Sequence, residues 1–381
     1  MLHILIDTNI LDEDPQRKSA AFQVVSRVGN AGELTVHIPQ VVKLEFLNHR
    51  ENEYLKPLEK AESGFDKISK KPLSESLKES LKKQKNAINN SISDVKNWVH
   101  KEFEYWCAHI GAKIHQIGNH HSSNVFDSYF SGAPPFKAIK NRKDLPDAFI
   151  YESIKDVANE VNELNVIVAD KKLQETCNTL DNVTTFESLD NFVKTKSFKE
   201  VVKDTVIEQN FDILIDELKK HSSQVEKDAS DKIFDTLAGY SFSDPIIPDD
   251  NNEATISMLD VPENAGLMWE EALYYGSGIV DIPFEFEMTT LVYYHIFKAD
   301  WYIIDEERAK SISVSEYGNR HFFEAEEEFE VFVKGSIAIS LDISKAETDD
   351  KFWEELPSLI NSMEIETSEI ADVSIIHEKN T

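Results

Sequence analysis

A chain of 381 residues is long enough for two domains with their own cores, and its apolar content of 41% is ordinary for folded protein. Its two cysteines, Cys107 and Cys177, are far apart and outside any CxxC or Cys/His spacing, which argues against a disulfide framework or a structural zinc site and fits a reducing cytoplasm. The net charge of −30 is lopsided: residues 1–198 carry 26 Lys and Arg against 28 Asp and Glu, whereas residues 199–381 carry 14 against 42, so the first part can approach a polyanion and the second would repel one.

No apolar run approaches the ~18 residues a membrane span needs, and no basic region precedes the first apolar stretch, so neither an anchor nor a signal peptide is expected. Leu2 to Ile6 is short, apolar and partly β-branched, and reads as a buried parallel strand. Asp7 falls where that strand stops, on the side of an open α/β sheet where ligands bind. Asp14-Pro15 predicts a helix start, with Asp as the cap and Pro at the first helical position, and a helix to about Val28 that stops at Gly29 or Gly32. Leu34 to Ile38 is a second strand, and Pro39 opens a helix carrying Val41, Val42, Leu44, Glu45, Phe46 and Leu47. Glu45 is thus a carboxylate in an apolar stretch. Burying it unpaired is costly, and a metal ion shared with Asp7 would be a partner.

Residues 50–118 read as long helices, with Leu73, Leu77, Leu81, Ile88, Ile92 and Val95 at helical spacings, and so as an amphipathic hairpin inserted into the α/β core. A sharper reading makes Lys67, Lys70, Lys71, Lys82, Lys83 and Lys85 an arm for RNA phosphates, which the interspersed acids weaken. Gly118 to Pro146 reads as a loop, its adjacent His120 and His121 as a solvated pair, with ligands or acid/base groups as the sharper reading. Within that loop Lys137, Lys140, Arg142 and Lys143 form the densest local candidate for phosphate contact. Asp147, after Pro146, sits in the first turn of a helix, where a carboxylate complements the helix dipole. Asn165 to Ala169 is a third strand, followed at once by Asp170, Lys171 and Lys172; Val183 to Phe186 is a further strand and Glu187 to Phe198 a closing helix.

The order strand-Asp7, helix-Glu45, helix-start-Asp147, strand-Asp170 in an alternating β/α chain implies one parallel sheet with the acids converging on one rim. Clustered carboxylates raise one another's pKa and are tolerated when a divalent cation neutralises them, and an oxygen-only ligand set suits Mg²⁺ or Mn²⁺. Asp7-Thr8-Asn9, Glu45, Asp147-Ala-Phe-Ile150 and Val168-Ala-Asp170-Lys-Lys172 match, in order and context, the four acidic positions of PIN-domain ribonucleases, and residues 1–198 resemble that family. The resemblance implies a flavodoxin-like three-layer α/β domain and a metal-dependent endoribonuclease that prefers single-stranded RNA. It makes Asp7, Glu45, Asp147 and Asp170 the holders of Mg²⁺ or Mn²⁺, with Asp144 as a substitute or supplement. Thr8 or Asn9 would orient the first acid; both, with Lys137, Lys140, Arg142, Lys143 and Lys171, are the candidate substrate contacts. The long insertion between Glu45 and Asp147 departs from the small toxins of the family and resembles a larger PIN subgroup. A cytoplasmic toxin or phage-defence setting and a homodimer are expectations from the same resemblance. The alternatives are a structure-selective DNA nuclease using the same acids, or a silent PIN fold acting as a scaffold.

Residues 199–243 read as a helical connector, and Ser243 to Glu253 as a turn-rich boundary. Beyond it Ile279 to Met288, Phe323 to Val333 and Ile337 to Ile343 alternate, and Leu291 to Ile304 reads as an aromatic-rich strand pair broken near Lys298. Residues 244–381 therefore form an α+β domain with an antiparallel sheet. Its wet face carries Glu285, Glu287, Glu324, Glu326, Glu328 and Glu330, a soluble surface, a docking face for a protein regulator or a mimic that masks the basic loop.

Overall fold

Leu2–Ile6 (β1) is flanked by two parallel neighbours, and the sheet around it positions everything that follows. The computed structural model describes residues 1–202, 205–249, 251–259, 262, 264–315, 321–343 and 349–376. Positions 203–204 of the expected connector, and position 250 of the expected boundary, lie outside them. Contacts divide the chain into two units, Met1–Arg17 with Val25–Val202 and Lys18–Val24 with Lys203–Thr381.

The first unit is built on a five-stranded sheet of order β3-β2-β1-β4-β5, with β2 at Leu34–Pro39, β3 at Lys113–His115, β4 at Leu164–Ile167 and β5 at Val183–Phe186. Every pairing is parallel. Ile4, Leu5, Ile6, Val36, Ile38, Val166 and Ile167 are wholly buried, which is why these runs lack the alternation of a half-wet strand. This is the α/β fold expected of a PIN-like, flavodoxin-like domain. The strand read at 165–169 is shorter than expected and leaves Val168 and Ala169 beyond its end.

Three local expectations are corrected. Asp14 does not begin a helix; it ends α1 (Thr8–Glu13), and the next helix, α2, is Ala20–Asn30. Pro15 instead sits in a turn closed by the Arg17 N–H on the Asp14 carbonyl, with Arg17 at φ 56°. The Arg17 guanidinium is buried against Phe46, Phe103 and Trp106 and paired with Glu102, so a tertiary site overrides the local helix signal. Second, α3 (Gln40–Ser69) and α4 (Glu75–His109) do form the helical hairpin, but the edge strand β3 follows them inside the stretch read as helical. Lys85 of the supposed phosphate arm pairs back to Glu62 and Asp66 on α3. Third, the stretch read as a loop contains α5 (Asn119–Ser131), which packs on α6 (Leu145–Glu160) through Val125, Ala148 and Phe136. Asp170 starts α7 (Lys171–Cys177), and two short helices, α8 (Leu189–Val193) and α9 (Lys196–Val202), stand where one was expected.

The second unit holds a seven-stranded sheet dominated by two 19-residue strands, Ile279–Phe297 and Phe322–Ser340, paired antiparallel along their whole length. The strand pair expected at 291–304 is one strand to Phe297 and then a short helix, Lys298–Trp301. Helices Phe211–Lys219 and Ser222–Leu237 contribute Leu214, Leu218, Val225, Ile233 and Leu237 to its core. The glutamates read as outward-facing are there, but Glu327 falls on the inner face, 4% exposed, where it accepts from the Tyr294 and Ser311 hydroxyls at 2.9 and 2.7 Å. At Gly335 an added Cβ would lie 2.2 Å from the Glu369 carbonyl oxygen and 2.6 Å from the Phe284 ring. Gly335→Ala is therefore expected to cost about 3 kcal/mol of stability, read from denaturant unfolding, because backbone rather than a flexible side-chain tip is in the way.

Candidate active site

β1 and β4 are neighbours, yet the chain runs from β1 outward to β2 and β3 and from β4 outward to β5. The gap between them is the topological switch point of the sheet, where the carboxyl ends of the strands leave a crevice. Asp7 is the first residue past β1, and its N–H donates to the Ile167 carbonyl at the end of β4 (3.0 Å). Asp170 lies just beyond β4 and caps α7, its Oδ1 accepting from the Leu173 N–H at 2.8 Å. Glu45 stands in the second turn of α3, which starts directly after β2, and Asp147 stands in the first turn of α6, where Pro146 tolerates a helix start. Four elements thus bring four carboxylates to one rim.

Their electrostatics record the convergence. Asp7 is 4% exposed, and burial, with Asp147, Glu45 and Asp170 adding to it against the Thr8 N–H, pushes its pKa up to about 7. Asp147 is pushed up to about 6 by burial and then by Asp170, Asp144 and Glu45, with Lys137 opposing. Glu45 is raised by burial although the Thr8 hydroxyl donates to its Oε2 at 2.9 Å. Asp170 goes the other way: burial raises it, but the Leu173 N–H and the Lys137 ammonium, 3.4 Å from Oδ2, outweigh that and hold it below the usual carboxylate range. One ionised acid beside three reluctant ones is the behaviour of a shared site.

The other expected site residues are distributed around this rim. Thr8 is buried and its hydroxyl is spent on Glu45, while its N–H holds Asp7; Asn9 is exposed. Asp144 is 3% exposed and accepts the Lys137 N–H, so its carboxylate fastens the basic loop beside the site. Lys137 reaches Asp170, and Lys140, Arg142, Lys143 and Lys171 are exposed. All four central donors are carboxylate oxygens, hard ligands that suit Mg²⁺ or Mn²⁺, and carboxylates that raise one another's pKa are what such a cation relieves. In donor chemistry these residues suit a divalent ion, while among the described residues no three of the four acids bring ligand atoms within 4.8 Å of one another.

Two histidine clusters lie outside the rim, one of them at the pair expected to be solvated. Among the described residues, the group of metal-binding side chains whose ligand atoms all lie within 4.8 Å of one another is His120, His121 and Asp156, away from the four acids. Its bonding is that of a helix clamp. The Gly118 N–H donates to His121 Nδ1 (3.2 Å), so Nε2 carries the proton and donates to Asp156 Oδ2 (2.8 Å) rather than presenting a lone pair to a metal. His121 is 1% exposed and caps α5, not the solvated residue expected; only His120 faces water. Across the sheet, His3 Nδ1 meets His37 Nε2 at 3.1 Å and His37 Nδ1 meets His115 Nε2 at 2.8 Å, a row spanning β1, β2 and β3. Burial, with His115, His3 and Lys113 nearby, drives His37 down to about 3. The sequence signal was a histidine on each of the two strands it revealed, His3 and His37; the strand that carries His115 was not legible.

A family model described as PIN domain matches residues 4–173, which span the whole rim from β1 to α7. No curated protein and no solved structure matches the chain.

Proposed function

From a chain that carries a PIN domain over residues 4–173, we propose a metal-dependent endoribonuclease that hydrolyses phosphodiester bonds of single-stranded RNA at the rim formed by Asp7, Glu45, Asp147 and Asp170. PIN domains are commonly nucleases, and the observation that carries the finer reading is the convergence of four carboxylates at the switch point, where burial and then Asp147, Glu45 and Asp170 raise Asp7. The four acids would hold Mg²⁺ or Mn²⁺, which when bound supplies an activated water and positive charge against the charge that builds on the phosphoryl oxygens. The protein's own part is placement. Thr8 fixes Glu45 through its hydroxyl and Asp7 through its N–H, and the Leu173 N–H fixes Asp170. Lys137, held by its backbone to Asp144, puts an ammonium beside the acids where a phosphate would enter, and Lys140, Arg142, Lys143 and Lys171 extend that attraction along the strand. Chemistry of this kind needs no side-chain nucleophile. The Glu-rich sheet of the second unit is read as a face for a protein regulator, and a toxin-like or defence setting in the cytoplasm accords with regulated cleavage.

The test is cleavage of labelled single-stranded RNA, single-stranded DNA and duplex RNA by the full chain with Mg²⁺, Mn²⁺ or EDTA. RNA cutting that needs metal and favours the single strand is the expected result. DNA cutting with RNA spared would overturn the substrate, and no cutting under any condition would leave a silent PIN fold.

A further inference from the structure

Beside the acids, the stretch from α5 to α6 exposes apolar surface that belongs to no core. Phe126, Phe130 and Ile139 are 50%, 59% and 62% exposed. Phe126 and Phe130 are four residues apart on α5 and so share one helix face, while Val125 and Tyr129 pack with Phe136 and Ala148, the Tyr129 ring lying edge-on to Phe130 at 5.2 Å and bracing it. The chain beyond them is fastened. Gly132 ends α5 at φ 75° and leaves room for Ile139, whose Cγ1 would lie 2.8 Å from an added Cβ. The Lys140 N–H donates to the Tyr129 carbonyl (2.8 Å), and the Lys137 N–H to Asp144. Lys140, at φ 61°, sets its ammonium 5.6 Å from the centroid of the Phe130 ring; three residues earlier Lys137 reaches Asp170. One tied loop therefore links an aromatic face to the acid rim and carries a lysine at each end of the link.

Aromatic faces accept any base, lysines accept phosphates, and together they make the usual surface for an unpaired strand. The two rings are spaced about 6 Å along the helix axis, whereas successive bases in a duplex strand are about 3.4 Å apart. Bases that reach both rings must be pulled out of their stack. Resting on the ribonuclease reading of the acid rim, we propose that Phe126 and Phe130 form a base-stacking platform that selects single-stranded RNA and passes the adjoining phosphate along Lys140 and Lys137 to the acids.

The experiment uses the full chain with Asp7→Asn, which binds without cutting, and follows fluorescence anisotropy of a labelled oligoribonucleotide, of its duplex, and of the same strand with two abasic positions. Phe130→Ala is expected to weaken binding of the intact single strand by about tenfold, Phe130→Trp to retain it, and the loss to shrink on the abasic strand because both changes remove the same stack. Duplex binding should be weak and indifferent to either substitution. In the cleaving chain the same Phe130→Ala should raise KM with little change in kcat. If Phe130→Ala and the Phe126→Ala/Phe130→Ala double variant bind and cut as the parent does, the platform is overturned while the acid rim stands. If the parent cuts nothing with either metal, the nuclease reading falls, and the platform is judged by the anisotropy alone. A change in self-association without a change in RNA binding would make the face a protein contact and also overturn the proposal.

Discussion

Asp7→Asn is expected to abolish cleavage, by about a thousandfold or more, and in the same molecule to make the metal-free protein more stable at neutral and alkaline pH. The folded-state pKa of Asp7, about 7, lies above its ordinary value of 3.8. The stability tied to its proton is complete below pH 3.8 and is lost as pH rises through 7. Asparagine keeps the shape and can still accept the Thr8 N–H, but it has no proton to lose and no charge to set against Asp147 and Glu45. The stability difference between variant and parent should therefore be near zero at pH 4, grow by about 1.4 kcal/mol per pH unit, and level off above pH 7 at about 4 kcal/mol. Denaturant unfolding in EDTA at pH 4, 6 and 8 measures it. Adding Mg²⁺ should then raise the stability of the parent and leave that of the variant, since an ion that binds only the folded rim stabilises by mass action. A variant that is inactive but no more stable at pH 8 would mean that Asp7 is not held near neutrality by its surroundings.

His37 carries the opposite sign. Its folded-state value, about 3, is depressed from 6.5, so the stability that comes from keeping it neutral is complete above pH 6.5 and drains away as pH falls toward 3. By pH 4 the parent should have lost about 3 kcal/mol on this account. His37→Phe removes the two ring hydrogen bonds and is expected to be the less stable protein at pH 8, by about 1–2 kcal/mol. The deficit should shrink on acidification and reverse below about pH 5. Unfolding free energies of the two proteins, compared pH by pH so that Asp7 and Asp147 contribute equally to both, check the crossing. Parallel curves would show that His37 takes up its proton without resistance.

Much of the rim was legible because three of its acids sit at boundaries that sequence marks strongly. Ile4 to Ile6 and Val166 to Ile167 are buried on both faces, so they read as parallel strands, and an Asp after such a run announces itself. Glu45 stands out against its apolar neighbours, and Pro146 marks the helix that carries Asp147. What escaped was whatever tertiary structure decides. β3 is three residues of an edge, Lys113 to His115, with no periodicity to detect. α5 is built from Asn, His and Ser, poor helix formers, and exists through the His121 cap and its packing on α6. Pro15 looked like a helix start because the site waiting for Arg17 among Phe46, Phe103 and Trp106 is invisible in one dimension. In the second unit alternation revealed the long strands, and Glu327 was hidden in the same alternation: it occupies an inner position where the pattern asks for an apolar residue, made tolerable by Tyr294, Ser311 and Arg308.

The histidine row across β1, β2 and β3 has a further property. Each contact joins an Nδ1 to an Nε2, and a neutral imidazole owns one proton. If His3 donates from Nδ1, His37 must accept at Nε2 and donate from Nδ1, and His115 follows suit with its own proton on Nδ1. If donation starts at His115, all three protons sit on Nε2 instead. No mixed arrangement satisfies both contacts, so the three rings share one tautomer and can exchange it only in concert. The row is a two-state wire laid across the strands, and the ring at either end determines what the other two can be.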